Sequence, residues 1–159
     1  MQTPGISKPS GSLPGAVLFA CNFNRVRSPM AQALMQMAYG KQVFVDSCGL
    51  RPDDGGGIDP FATIVLDEVG ADLAGHKAKA FDDLEDGSFD LVISLTPEAQ
   101  HRAVELARGR AVDIEYWPIP DPTLATGSRE VILEAYRLSR DTILRRIYAR
   151  FAKPSTFGG

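Results

Sequence analysis

Cys21 and Arg27 stand either side of five residues in the run Ala20-Cys21-Asn22-Phe23-Asn24-Arg25-Val26-Arg27-Ser28-Pro29. A thiol and a guanidinium at that separation can share one small anion. A loop of this length can curl until successive backbone N–H groups face inward as an anion-binding nest, and a helix beginning at Ser28-Pro29 would aim the positive end of its dipole at the same point. Asn22, Phe23, Asn24, Arg25, Val26 and Ser28 are therefore read as a phosphate-binding loop around Cys21. The N–H donors, the dipole and Arg27 all favour thiolate over thiol, and a thiolate so placed can attack phosphorus. Ser28 is a suitable helix cap whose hydroxyl also reaches a thiolate, and Pro29 fits a first helical position that needs no N–H. The plainer alternative is a buried Cys21 at a strand end and a solvated Arg27. Agreement of strand, loop and cap favours the chemical reading.

These residues must be held by regular elements, and the chain supplies an alternation of β-rich and helical patterns. Strands are expected near Val17–Ala20, Val43–Asp46, Leu91–Ser94 and Val112–Tyr116, with helices near Pro29–Tyr39, Pro60–Val69, Pro97–Ala107 and Arg129–Phe151. Such alternation produces parallel βαβ units. In the last helix Ile132, Tyr136, Ile143, Ile147 and Phe151 form the core stripe, and Arg137, Arg140, Arg145, Arg146 and Arg150 read as solvated. Ligands of such sheets bind beyond the carboxyl ends of strands, where the Cys21 loop falls after the first strand. Asp121, in the proline-stiffened run Trp117-Pro118-Ile119-Pro120-Asp121-Pro122-Thr123 after the fourth strand, is the candidate acid. Its carboxyl would protonate a leaving oxygen and then activate water. Asp-Pro also simply initiates turns, and the phosphate loop is what tips the reading toward chemistry.

The 159 residues, 44% hydrophobic, suit one domain, expected over 16–152 between a flexible leader at 1–15 and a flexible tail at 153–159. Net charge is −3, so nothing global favours nucleic acid or an anionic membrane, and no apolar run approaches membrane-spanning length. Two cysteines, Cys21 and Cys48, make no disulfide framework and point to a reducing compartment, the cytoplasm. His76 and His101 with those cysteines lack metal-ligand spacing, so no metal or other cofactor is expected. A monomer is expected.

Order and content of the motifs resemble the low-molecular-weight protein tyrosine phosphatase family, which includes related arsenate reductases. The resemblance spans nearly all of residues 16–151. It rests on Val17-Leu18-Phe19-Ala20-Cys21, Asn24, Arg27-Ser28-Pro29, Asp46-Ser47-Cys48-Gly49, His76-Lys77-Ala78 and Asp121-Pro122. With it, the expected fold is α/β, a single-domain doubly wound four-stranded parallel sheet in the order 2-1-3-4 with helices on both faces. The resemblance implies Cys21 as nucleophile, Arg27 as bidentate phosphate clamp, Ser28 as thiolate stabiliser and Asp121 as general acid and then base. It further implies a polar network through Asn24, Ser28, Ser47 and His76 that holds the loop asparagine in an unusual backbone conformation. Read alone, His76 would be a surface or structural histidine and Ser47 a strand-end residue.

Departures from the family bear on substrate. Phe23 stands where the family has a loop glycine, and Val26 where it has a second loop cysteine able to form a disulfide with the nucleophile. Cys48 is left either to replace that cysteine or to fill the core. Family aromatics that flank the substrate ring are absent from the segment Arg51 to Gly57, which carries Asp53 and Asp54, and from Thr123-Leu124 directly after Asp-Pro. Phe23 and Trp117 are the candidates to take their place. The resulting expectation is a cysteine-dependent phosphomonoester hydrolase, a protein tyrosine phosphatase acting through a phosphocysteine. Its substrate would be a phosphorylated protein or small aryl phosphate, with phosphate, vanadate or arsenate as loop ligands. The alternatives are a thiol-dependent arsenate reductase and a catalytically weak phosphate-binding module.

Overall fold

A computed structural model describes residues 13–52, 57–73, 75–84 and 88–151. The expected tail at 153–159, most of the leader, and Asp53 and Asp54 lie outside the described residues. The apolar run Ala16–Cys21 forms β1, and Val17, Leu18, Phe19 and Ala20 are wholly buried. A strand covered on both faces reads as continuous hydrophobicity rather than alternation. It pairs in parallel with β2 (Phe44–Gly49) on one side and β3 (Leu91–Ser94) on the other, and β3 pairs in parallel with β4 (Asp113–Tyr116). The order β2-β1-β3-β4 is the expected 2-1-3-4. β2 runs to Gly49, three residues past the sequence expectation, because β1 supplies ladder partners for Ser47, Cys48 and Gly49 that their own weak strand preference does not reveal.

Strand alternation sends Val17, Phe19 and Cys21 to one face and Leu18 and Ala20 to the other. The first face packs on α1 (Arg27–Tyr39), α2 (Pro60–Asp67) and α4 (Arg129–Arg150) through residues such as Met30, Leu34, Val65, Ile143 and Ile147. Leu13 packs against the same cluster. The second face meets α3 (Pro97–Ala107) through Ala99 and Ala103, with Cys48 and Phe81 in the same cluster. Caps set the helix starts. Asp59 accepts from the N–H groups of Phe61 and Ala62 ahead of Pro60, Thr96 from Ala99, and Ser128 from Val131.

Two expectations are corrected. Ser28 does not cap α1: the cap position is Val26, with no side-chain cap bond, and Ser28 is buried as the second residue of a helix that begins at Arg27. Pro29 is thus third in the helix, where its missing N–H is still one of the unpaired donors of a first turn. Nor are the arginines of α4 all solvated. Arg140 is buried and donates to the Val65 carbonyl, Glu68 and Asp141, while Arg137 grips Glu68 through Nε and Nη2 and also reaches Glu130 and Glu134. A helix-face pattern cannot show that Glu68, just past α2, sits opposite these guanidiniums.

Those hydrogen bonds from Arg137 and Arg140 hold the Glu68 carboxyl down at about 2. Because the folded value lies below the unfolded one, the stabilisation is present above the ordinary glutamate range and is lost as pH falls through about 2. In thermal melts, Glu68→Gln should lower Tm at neutral pH and show a smaller further drop than wild type on acidification through this window. Parallel Tm-pH curves would rule out the coupling.

Candidate active site

The loop from Cys21 to Val26 leaves β1 and enters α1 at the carboxyl edge of the sheet. Its carbonyls are taken up from outside: Cys21 O accepts from Leu50 N–H at 3.1 Å, Asn22 O from Arg51 at 2.8 Å and Arg25 O from Asp59 at 2.9 Å. His76 Nε2 lies 2.9 Å from Asn24 O, and because a carbonyl only accepts, that ring nitrogen carries the hydrogen. In a trans peptide the N–H points opposite to the carbonyl. The amides of Asn22, Phe23, Arg25 and Val26 are thereby turned to the side away from these external donors, which is the loop interior. Asn24 N–H is 3.3 Å from Cys21 Sγ. The uncapped first turn of α1, free of acidic side chains, adds its own N–H groups and dipole.

Asn24 is the one non-glycine with positive φ among the described residues, at 58°. Its side chain donates to Ser28 Oγ at 2.8 Å and Ser47 Oγ at 3.0 Å, and its Oδ1 accepts from Lys79 N–H at 3.0 Å. Asn24, Ser28, Ser47 and His76 thus meet in one network, joined by Gln32, which accepts from Ser47 Oγ at 2.6 Å. Gln32 was missed in the sequence, although it lies one turn from Ser28 on the same helix face. Burial outweighs the Asn24 hydrogen bond at His76 and lowers its pKa, so the ring is neutral at pH 7. Ser28 Oγ lies 3.0 Å from Cys21 Sγ and 3.2 Å from the Cys48 carbonyl. A thiolate is the stronger acceptor of its single hydrogen. Phe23 does not take the left-handed conformation, so its side chain imposes no strain of that kind. At Gly49 a Cβ would sit 2.8 Å from Asn24 N and 2.9 Å from Asn22 O, and its absence lets the loop lie against β2.

Arg27, largely buried, donates through Nη1 to Ile119 O at 3.0 Å and places Nη2 3.7 Å from Asp121 Oδ2. The segment after β4 is also tied to α4, where Ser139 Oγ donates to Pro120 O at 3.0 Å. Cys21, Arg27 and Asp121 therefore open on one cavity of about 170 Å³, with Phe23, Arg25, Asp59 and Thr123 on its walls. Asp59 was not singled out in the sequence, and Thr123 was named there only as a position without the family's aromatic. A larger cavity of about 370 Å³ beside α2 is lined by Thr63, Asp67, Asp72 and His76 and contains none of the loop residues.

The candidate replacements for the missing ring walls separate cleanly. Phe23 is 46% exposed at the cavity, whereas Trp117 is 4% exposed and packs edge-on against Phe19 in the core. Cys48 is wholly buried and belongs to the cluster on the α3 face, across the sheet from the one that contains Cys21. Burial, with the nearby Cys21 sulfur second, raises its pKa well above the ordinary thiol range. His101 is paired with Glu105 on α3, remote from the loop in sequence and element. No group of three potential metal ligands occurs among the described residues, and none of their helices is long and apolar enough to cross a membrane.

The sequence model of the low molecular weight phosphotyrosine protein phosphatase family matches residues 16–153. The low molecular weight protein-tyrosine-phosphatase Wzb of Escherichia coli strain K12 is 33% identical over 129 residues, covering 77% of this chain and 86% of Wzb. The glutaredoxin arsenate reductase of Synechocystis is 27% identical over 139 residues, covering 87% of this chain and 98% of that protein. Among solved structures, an arsenate reductase in a phosphate-binding state aligns with a TM-score of 0.69 at 26% identity, over 84% of this chain and 93% of that one.

The network makes a separable prediction at Asn24. Asn24→Ala loses the carboxamide and must also hold a left-handed backbone, a combined cost of about 2–4 kcal/mol. Asn24→Gly loses only the carboxamide. Denaturant melts should rank wild type, then Gly, then Ala. Equal stability of the two variants would show that φ at position 24 is not what the side chain is holding.

Proposed function

The chain belongs to the low molecular weight phosphotyrosine protein phosphatase family, and on that premise we propose that it is a cysteine-dependent phosphomonoester hydrolase working through a phosphocysteine intermediate. The observation that carries this reading is the Cys21 sulfur itself, held 3.3 Å from Asn24 N–H and 3.0 Å from Ser28 Oγ at the floor of a loop whose carbonyls are turned outward. A phosphate ester would place its dianion among the loop amides and against Arg27, whose planar fork suits two equatorial oxygens. The thiolate forms the S–P bond while the P–O ester bond breaks, and the leaving oxygen takes its electron pair and the proton of Asp121. Water then attacks phosphorus and gives its proton to Asp121, and the S–P bond breaks to return the thiolate. Ser28 donates to sulfur whenever it carries charge.

The substrate proposed is a phosphotyrosyl protein or a small aryl phosphate. Phe23 is the aromatic that supports it, since Trp117 is core and Thr123 occupies the position after Asp-Pro. The chemistry needs a reduced thiol, which fits a cytoplasmic setting. Thiol-dependent arsenate reduction is a second reading, favoured by the arsenate reductases among the relatives. It needs a thiol to resolve an arsenylated Cys21, and Cys48, buried across the sheet, is badly placed for that.

The proposal is tested by turnover of p-nitrophenyl phosphate. Cys21→Ser should abolish it and Arg27→Ala should reduce kcat/KM by about a thousandfold or more. Asp121→Ala should lower kcat/KM about a hundredfold on phenyl phosphate and far less on p-nitrophenyl phosphate, whose leaving group needs less protonation. Folded protein that binds vanadate without hydrolysing either ester would defeat the proposal in favour of a binding module. Arsenate-dependent oxidation of glutathione or thioredoxin without ester hydrolysis would defeat it in favour of the reductase. Phe23→Ala should raise KM for aryl phosphates about fivefold with kcat unchanged, the worth of one aromatic contact; an unchanged KM would remove Phe23 from ring recognition.

A further inference from the structure

The geometry points to Thr123 as the positioning residue that orients the Asp121 carboxyl and so decides which of its oxygens carries the catalytic proton. This rests on the hydrolase reading above. Thr123 donates twice to one oxygen of Asp121: its hydroxyl reaches Oδ1 at 2.6 Å and its backbone N–H reaches the same atom at 3.0 Å. The other oxygen, Oδ2, is on the side of Arg27 at 3.7 Å from Nη2, beyond hydrogen-bond distance, so that donor is not seated on it. A carboxyl group rotates between two equivalent orientations with little intrinsic preference. Two donors on one side remove that freedom. A backbone N–H cannot reverse into an acceptor, so a proton on Oδ1 would be driven against it. The acid form is therefore Oδ1 as carbonyl-like acceptor and Oδ2–H as donor, with the hydrogen on the clamp side where the ester oxygen departs.

The surrounding chain makes this orientation useful. Arg27 and Ser139 fix the carbonyls of Ile119 and Pro120, and Pro122 stiffens the link between acid and orienter. Thr123 itself lines the cavity. It stands at the position after Asp-Pro where the family resemblance leads one to expect a ring-flanking aromatic. In this chain that position contributes a hydroxyl that aligns the acid, and the ring contact falls to Phe23. During phosphoryl transfer the Oδ2–H bond breaks as the leaving oxygen gains the proton, and the carboxylate that results keeps both Thr123 bonds, ready to accept the proton of the hydrolytic water at the same oxygen.

The test uses Thr123→Val, which keeps the branched shape and backbone N–H but removes the hydroxyl, and Thr123→Ser, which keeps the hydroxyl. kcat/KM is measured for phenyl phosphate and p-nitrophenyl phosphate. Thr123→Val should lose about fivefold on phenyl phosphate and little on p-nitrophenyl phosphate, and Thr123→Ser should restore the wild-type ratio. In an Asp121→Ala background the Val substitution should have no further effect, because the group it orients is gone. Equal losses on both esters, no loss on either, or an undiminished loss in the Asp121→Ala background would each overturn the assignment while leaving the hydrolase reading intact. A wild-type protein that hydrolyses neither ester would overturn both.

Discussion

Asn24, held at φ 58° by its own carboxamide, is the constraint on which the rest of the site depends. A left-handed residue with a side chain costs of order 1–2 kcal/mol, and each of its hydrogen bonds returns about 1 kcal/mol. The partners come from separate parts of the chain: Ser28 from α1, Ser47 from β2, and His76 and the Lys79 amide from the segment beyond α2. Turning the backbone at this residue lets carbonyls on either side point outward and the intervening amides inward. One local conformation thus converts a strand-to-helix connection into an anion cradle, and it exists only when sheet, helix and loop are assembled around it.

The fold supplies two further conditions. β1 lies inside the sheet between β2 and β3, so its buried run fixes the Cys21 end of the loop, and α1, buried on most sides between sheet and α4, fixes the Arg27 end. Gly49 allows the loop to touch β2. Arg27 then reaches across to the Ile119 carbonyl, which ties the clamp to the segment that carries the acid. The nucleophile, clamp and acid sit on different elements, and their relative placement is set by the close approach at Gly49, by the Arg27 bond to the Ile119 carbonyl and by the 3.7 Å approach of Arg27 to Asp121.

Parallel pairing and the place of the Cys21 loop and Asp121 at the carboxyl edge were readable in the sequence, because hydrophobic runs, Pro-marked helix starts and the Cys-to-Arg spacing are local signals; the strand order came with the family resemblance. Ser28 was misread as a cap because its local pattern is that of one; the tertiary partners Asn24 and Cys48 draw its hydroxyl elsewhere. Arg140 looked solvated on a helical projection, but the Val65 carbonyl and Glu68 meet it from α2 and just beyond. Gln32, Asp59 and Thr123 carry no motif of their own. Their places follow from packing, and in the sequence only Gln32, one turn from Ser28, gave a hint.

The proposed mechanism turns on covalent attachment of phosphorus to Cys21. The direct measurement is rapid denaturing quench of Asp121→Ala protein during turnover of p-nitrophenyl phosphate, followed by phosphorus NMR and peptide mapping. An S-phosphoryl adduct on the Cys21 peptide should accumulate, because its hydrolysis lacks a base. Continued ester hydrolysis with no adduct on Cys21, or with the phosphoryl group on Cys48 or another residue, would contradict the mechanism.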